Sequence, residues 1–276
     1  MIQCNEYKIM IVSRIASRCI SRHHACSLCV VGLSAVSAVP TKQSVIVGGS
    51  LAVISQYPSV VGLLYSSNWN NYNQVCVGTI VTTKSILTAA HCVYGDAVYK
   101  WRARAGSSLA NSGGTVYAIN SCTIHPSFSF RTMNNDIAIL RTAVAIINSS
   151  AKPVSIAGIN YNLPDNQVVW AAGWGTTLVG VAPGEQLRHI QGWTINQKTC
   201  ASSYATFGAN VTANMLCFGW PLGGVRDQCQ GDSGGPIYHN GNLVGISSWG
   251  YGCANAAYPG INTRISKLAT WIQTNA

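Results

Sequence analysis

A serine surrounded by glycines is the clearest candidate for chemistry in this sequence. Ser233 lies within GDSGGP, residues 231–236. Glycines accept strained backbone angles and leave main-chain N–H groups free to point outward, as the oxyanion site of an acyl-transfer enzyme requires. Taken alone, such a segment is more often a turn than the home of a nucleophile. The assignment therefore depends on finding a base and an orienting acid elsewhere.

Two other segments supply these partners. His91 is the fourth residue of TAAHC, and Asp136 is the first residue of the apolar run DIAIL. An imidazole can take the proton of a serine hydroxyl, and a carboxylate can hold that imidazole in the required orientation. His91, Asp136 and Ser233 thus provide a base, an orienting group and a nucleophile.

The elements that position these residues are predicted to be strands. The 276 residues include 27 Gly and 9 Pro, which is too many for a helical bundle. Apolar or alternating runs recur between turn signals, which predicts an all-β barrel or sandwich, and the length would divide evenly into two barrels. These runs start at Val60, Ser85, Val98, Asp136, Gln167 and Asn242. A helical period at Leu268, Trp271 and Ile272 predicts a single C-terminal α-helix.

The charge pattern argues against a nucleic-acid partner. The formal net charge is +10, from 17 Lys and Arg against 7 Asp and Glu. The basic residues are spread along the chain without a run or a helical stripe, and the excess reflects a shortage of acids.

The N-terminal region resembles a secretory leader. Residues 25–39 carry no charge, follow three arginines and include the small-residue ending Val36-Ser37-Ala38, but they are too few to span a bilayer. We expect residues 1–38 to be the leader and signal peptide and residues 39–45 a propeptide. Eleven cysteines also fit a secreted, extracellular protein better than a cytosolic one.

TAAHC, NDIAIL and GDSGGP in this order resemble the chymotrypsin-like serine peptidases, and the surrounding details are similar to the digestive trypsins of moths and butterflies. The resemblance covers residues 46–276, the predicted peptidase domain. It implies an all-β fold of two six-stranded antiparallel β-barrels with a C-terminal α-helix, and an active site in the cleft between the barrels.

The resemblance also implies a role for each reacting group. Ser233 attacks the scissile carbonyl, His91 moves its proton to the leaving amine, and Asp136 holds the imidazole in the productive tautomer. The main-chain N–H groups of Gly231 and Ser233 form the oxyanion hole. No metal and no cofactor are implied.

Substrate choice depends on Asp227, six residues before Ser233. Trypsins of this family carry an acid at the floor of the pocket for the P1 side chain, which implies Arg or Lys at P1. A solvated loop acid beside Arg226 is the alternative, but the register with Ser233 matches the trypsin motif without a gap. Further residues are assigned to substrate binding: Ser248, Trp249, Gly250 and Gly260.

Activation in this family frees an α-amino group. The resemblance implies that the ammonium of Ile46 pairs with Asp232 after proteolysis and orders the oxyanion hole. Val45 precedes Ile46 here, where trypsinogens of this kind usually present Arg or Lys. An activating protease that accepts a small apolar P1 residue is therefore expected.

Two further departures concern the substrate site and its surroundings. Gln228 stands where many trypsins of the family have serine, and we expect a preference for Arg over Lys because only a guanidinium binds a carboxylate bidentately. Val77 follows Cys76 where the family usually has paired glycines, and a modest packing change is expected there.

Six of the seven cysteines after residue 45 form pairs in the family. The implied disulfides are Cys76–Cys92, Cys200–Cys217 and Cys229–Cys253. Cys122 falls outside these pairs, and a small buried apolar residue is the favoured interpretation over an intermolecular bridge.

The leading hypothesis is a secreted, monomeric digestive endopeptidase, acting in the extracellular space or gut lumen and made as a zymogen. Its partners would be protein or peptide substrates, protein protease inhibitors and an activating protease, with neither nucleic acid nor membrane among them. A non-catalytic homologue that binds a partner through the same cleft is the first alternative, and a narrow regulatory protease is the second.

Overall fold

Antiparallel strands dominate the computed structural model, which describes residues 49–175, 184–220, 232–252 and 257–276. The strands are β1 Ser50–Leu51, β2 Val60–Tyr65, β3 Asn73–Ile80, β4 Ser85–Thr88, β5 Trp101–Ala105, β6 Thr115–Ile124, β7 Ala138–Thr142, β8 Val168–Gly173, β9 Arg188–Thr194, β10 Met215–Gly219, β11 Pro236–His239, β12 Asn242–Trp249 and β13 Gly260–Arg264. The α-helices are α1 Ala90–Val93, α2 Gln197–Ala205 and α3 Ile265–Asn275.

The first barrel closes in the order β2-β3-β4-β7-β6-β5. Strand β5 shows how its core is filled, because Trp101, Ala103 and Ala105 are buried while Arg102 between them is exposed. This alternation is the period-2 pattern of a strand with one face toward the core.

The second barrel joins β8-β9-β10-β13-β12-β11, and β11 pairs back to β8. The two-residue strand β1 adds to the outer side of β9. The prediction of two six-stranded antiparallel barrels is confirmed. Two of the predicted runs, Val60–Tyr65 and Asn242–Trp249, match strands at both ends, whereas the run starting at Val98 opens with a 3-10 turn, Val98–Lys100, before β5.

The C-terminal helix is confirmed as α3, which buries Ile265, Leu268 and Ile272 along one side. Two further helices, the four-residue α1 and the nine-residue α2, were not predicted. Asn196 caps α2, and its side chain accepts hydrogen bonds from the N–H groups of Lys198 and Thr199. Helix α2 has no apolar stripe, since it buries only Cys200 and Tyr204, so its sequence lacks the usual periodic signal.

The chain order places the candidate residues around the junction of the barrels. His91 lies in α1 directly after β4, and Asp136 lies just before β7, so both come from the first barrel. Ser233 lies before β11 of the second barrel. None of the helices in the described part of the chain is long and apolar enough to cross a membrane.

Candidate active site

A fully buried carboxylate holds the imidazole of His91. Asp136 is 0% exposed, and its Oδ2 lies 2.7 Å from His91 Nδ1. Its other oxygen, Oδ1, accepts the main-chain N–H of His91 at 2.8 Å. A carboxylate oxygen only accepts, so Nδ1 carries the hydrogen and Nε2 keeps its lone pair. The side chain is therefore held in the tautomer that a general base needs.

Two hydroxyl groups of the second barrel donate hydrogen bonds to Asp136. The hydroxyl of Ser248 donates to Asp136 Oδ2 at 2.5 Å, and the hydroxyl of Thr263 donates to the main-chain carbonyl of Asp136 at 2.7 Å. A buried charge is costly unless it is well hydrogen-bonded, and these donors supply that compensation. Ser248 thus orients the acid, and its predicted contact with substrate stays a prediction.

A strained turn delivers Asp136 to this position. Asn135 has a positive φ of 54°, a conformation that asparagine tolerates better than most residues. Its side chain donates to the carbonyl of Ser127 at 3.0 Å and accepts from Asn214 of the second barrel at 2.9 Å. The turn is thereby fixed to both barrels.

A disulfide fixes the helical turn that carries His91. Cys92 is bonded to Cys76 of β3. The sulfur of Cys92 lies 3.6 Å from the main-chain oxygen of Ser233 and 3.9 Å from His91 Nε2. A disulfide sulfur has no hydrogen to donate, so these are packing contacts. The main chain of Ser233 and Nε2 of His91 therefore both contact the sulfur of Cys92.

Ser233 is half-buried in a tight turn held by its main chain. Its carbonyl accepts the N–H of Val77 at 2.9 Å, and the N–H of Gly234 donates to Ser247 at 2.8 Å. Gly234 has φ +80°, and a Cβ there would collide with the Thr88 hydroxyl and the Val77 carbonyl. Only glycine fits this point, which explains the residue that follows the serine.

The carboxylate of Asp232 lies against glycine backbone. Its Oδ1 accepts the N–H of Gly175 at 2.8 Å, and the side chain is 5% exposed. A Cβ on either Gly173 or Gly175 would overlap the carboxylate. The pair flanking Trp174 was not singled out by sequence reasoning, although two glycines around a tryptophan are a usable signal of close backbone approach.

Two glycines predicted to bind substrate lie side by side. Gly250 is exposed and Gly260 is buried at the start of β13. A Cβ built on Gly250 would stand 3.8 Å from the Cα of Gly260, within ordinary packing distance. Tyr204, which donates to the carbonyl of Pro259 at 2.8 Å, packs edge-to-face on Trp249.

Several predicted site residues lie outside the described residues. They are Ile46 of the activation pair, Asp227 and Gln228 of the specificity pocket, Gly231 of the oxyanion hole, and both Cys229 and Cys253.

The described cysteines pair as the resemblance implies. Cys76 joins Cys92 and Cys200 joins Cys217, with sequence separations of 16 and 17. Loops of this size correspond to about 3 kcal/mol each in the chain-entropy model. Cys122 is half-buried on β6 and packs against the core of the first barrel.

Two other histidines pack against aromatic side chains. The ring centroids of His125 and Trp271 lie 5.0 Å apart, and the hydroxyl of Tyr57 is hydrogen-bonded to Nδ1 of His189 at 2.7 Å. Burial lowers the pKa of both imidazoles and raises the pKa of Tyr57 to about 12. Within the described ranges no three His, Cys, Asp or Glu residues gather to hold a metal ion.

Comparison with known proteins places this geometry in context. A family model described as Trypsin matches residues 46–272. The chain is 57% identical to "Trypsin, alkaline B" of Manduca sexta over 91% of this chain and 98% of that protein. It is 58% identical to "Trypsin CFT-1" of Choristoneura fumiferana over 88% of this chain and 96% of that protein. It is 37% identical to the "Vitellin-degrading protease" of Bombyx mori over 89% of this chain and 91% of that protein.

Proposed function

The chain belongs to the trypsin family of serine endopeptidases, and we propose that it is a secreted digestive enzyme that cleaves after Arg or Lys. The observation that carries the proposal is the buried Asp136 holding His91 beside the Ser233 turn. We also propose that the protein acts as a monomer, is made as a zymogen and is blocked by protein protease inhibitors. Disulfide bonding supports an oxidising, extracellular setting.

In the proposed mechanism His91 Nε2 takes the proton of the Ser233 hydroxyl as Ser233 Oγ attacks the scissile carbonyl. The carbonyl π electrons move to the oxygen, and the N–H groups of Gly231 and Ser233 stabilise the resulting oxyanion. The imidazolium is stabilised by Asp136 and then protonates the leaving amine as the C–N bond breaks. Water repeats the sequence on the acyl-enzyme and releases the acid.

Specificity for a cationic side chain is the part of the proposal that rests on Asp227. Trypsins of this family place an acid at this position, and the neighbouring Gly250 and Gly260 carry no side chains that would compete with a long P1 side chain. Gln228 beside the acid supports our proposal of a preference for Arg over Lys.

Asp227→Ser is expected to reduce kcat/KM for an arginyl anilide by about a thousandfold, since removing one partner of a buried ion pair costs about 3–5 kcal/mol. Labelling of Ser233 by a fluorophosphonate, which has no cationic group, should continue at a similar rate. Asp165→Ser, at an exposed acid, is the control and should leave both rates unchanged. Retained selectivity for arginyl over apolar substrates in Asp227→Ser would remove this residue from the pocket.

Activation is proposed to require cleavage between Val45 and Ile46, so that the new ammonium reaches Asp232. The carboxylate of Asp232 already accepts a hydrogen bond from the main-chain N–H of Gly175. Cleavage at the nearest basic residue, Lys42, would leave Gln43, Ser44 and Val45 ahead of Ile46. An amine displaced by three residues cannot reach the same carboxylate in the family's geometry.

Incubation of the purified proenzyme with immobilised trypsin, which is removed before the assay, is therefore expected to give no activity on an arginyl anilide, whereas elastase should activate it. The new N-termini are identified by sequencing, with Gln43 expected after trypsin and Ile46 after elastase. A variant with Val45→Arg provides the matched control, because trypsin should then release Ile46 and full activity. Full activity of the trypsin-treated wild type with Gln43 at its N-terminus would contradict this account of activation.

A further inference from the structure

Val77 links the first barrel to the turn that carries Ser233. It lies on β3 of the first barrel and is 0% exposed. Its side chain belongs to a hydrophobic cluster that also contains Leu87 of the first barrel and Ala172 and Ile237 of the second. The residue therefore packs across the junction between the barrels.

The main chain of Val77 supports two consecutive residues of the turn. Its N–H donates to the carbonyl of Ser233 at 2.9 Å. Its carbonyl accepts the hydroxyl of Thr88 at 2.8 Å, and the backbone of Gly234 lies directly on this carbonyl and hydroxyl. Any residue at position 77 could make these main-chain contacts.

The side chain of Val77 packs in the buried cluster between the barrels and lies next to two glycines of the second barrel. A Cβ added to Gly173 would stand 3.5 Å from Val77 Cγ2, and one added to Gly235 would stand 3.4 Å from Val77 Cβ, so the valine lines the space beside both positions. Both glycines also touch Asp232, because Gly173 lies against its carboxylate and the N–H of Gly235 donates to its carbonyl at 2.8 Å. The valine therefore lies close to both backbone segments that contact Asp232.

We propose that the side chain of Val77 is a positioning residue for catalysis, which holds residues 232–235 so that the hydroxyl and N–H of Ser233 keep their reactive placement. The inference rests on the proposed role of Ser233. Valine is a rigid β-branched side chain, so it can add packing to a turn that is otherwise held by main-chain hydrogen bonds. Close packing makes such a contact sensitive to the loss of even one methyl group.

The test measures kcat and KM on an arginyl anilide, with active-site titration, well below the midpoint of thermal unfolding. Val77→Ala is expected to lower kcat about tenfold, because small displacements of a reacting group have large effects on rate. KM should change less than about twofold, because the contacts of Val77 are to the nucleophile turn. An unchanged kcat in folded Val77→Ala would overturn the proposal.

Two further variants separate positioning from stability. Val61→Ala makes the same deletion at another fully buried valine, within the core of the first barrel, and should lower Tm without lowering kcat. Val77→Thr keeps the branched shape and should restore kcat to within about twofold, although its buried hydroxyl lowers Tm. A loss of kcat in Val61→Ala equal to that in Val77→Ala, or no rescue by threonine, would overturn the proposal.

Val77→Leu covers the case in which the alanine variant does not fold. Leucine keeps the apolar character but moves the branch away from Cβ, so kcat should fall while threonine at the same position preserves it. An unchanged kcat in Val77→Leu would overturn the proposal. Absence of hydrolysis by the activated wild-type protein would instead reject the proposed function, which distinguishes the two failures.

Discussion

Ser233→Ala is expected to lower kcat/KM for an arginyl anilide by about a millionfold, the scale seen when the nucleophile of another serine peptidase triad is removed. The nucleophilic oxygen is lost, while the structure that presents it stays. The turn is held through the carbonyl of Ser233, bonded to Val77, and through the neighbouring N–H of Gly234, bonded to Ser247. We therefore expect unchanged circular dichroism, an unchanged Tm within a few degrees, and normal binding of a cationic inhibitor.

Ser202→Ala, an exposed serine on α2, is the matched control and should retain full activity. Fluorophosphonate labelling provides a second readout, since it should disappear in Ser233→Ala and persist in the control. Residual turnover of more than about one part in ten thousand that also titrates as active enzyme would contradict the assignment of Ser233 as nucleophile.

The architecture was predictable from the sequence wherever a strand is buried along most of its length. The run VVGLLY is apolar because β2 is buried along almost its whole length, and NLVGISSW is β12 for the same reason. Helix α2 was missed because its stability comes from the Asn196 cap and the Cys200–Cys217 bridge, with little contribution from an apolar face. Local periodicity does not report such tertiary support.

The site was only partly predictable, since motifs identify reacting groups but not the residues that support them. His91 and Asp136 could be identified from TAAHC and NDIAIL, and the structure places His91 Nδ1 2.7 Å from Asp136 Oδ2. Thr263 donates to the carbonyl of Asp136 from a strand more than a hundred residues later, and nothing in its local sequence marks it. The sequence marks Val77 as a departure from the family pattern, but its packing with Ala172 and Ile237 depends on the meeting of two barrels.

Asp136→Asn is expected to lower kcat/KM by about ten-thousandfold, the size of effect that this change has in the template triad of the family. The carboxylate accepts three hydrogen bonds, from the main chain and Nδ1 of His91 and from the hydroxyl of Ser248. An asparagine offers one oxygen and one NH₂ group in the same space. If the oxygen accepts the main-chain N–H of His91, the NH₂ group faces Nδ1, and the imidazole must move its hydrogen to Nε2. That nitrogen then cannot take the proton of Ser233.

The loss should appear in kcat with little change in KM, because Asp136 acts on the proton transfer and has no direct contact with the P1 side chain in this mechanism. The double variant Asp136→Asn/Ser233→Ala should be no slower than Ser233→Ala alone, since the two residues act as one unit. Asp165→Asn makes the same chemical change at an exposed acid and should alter kcat less than twofold. A loss of less than tenfold in Asp136→Asn would mean that the tautomer of His91 is set by another group, and additive losses in the double variant would mean that Asp136 and Ser233 act independently.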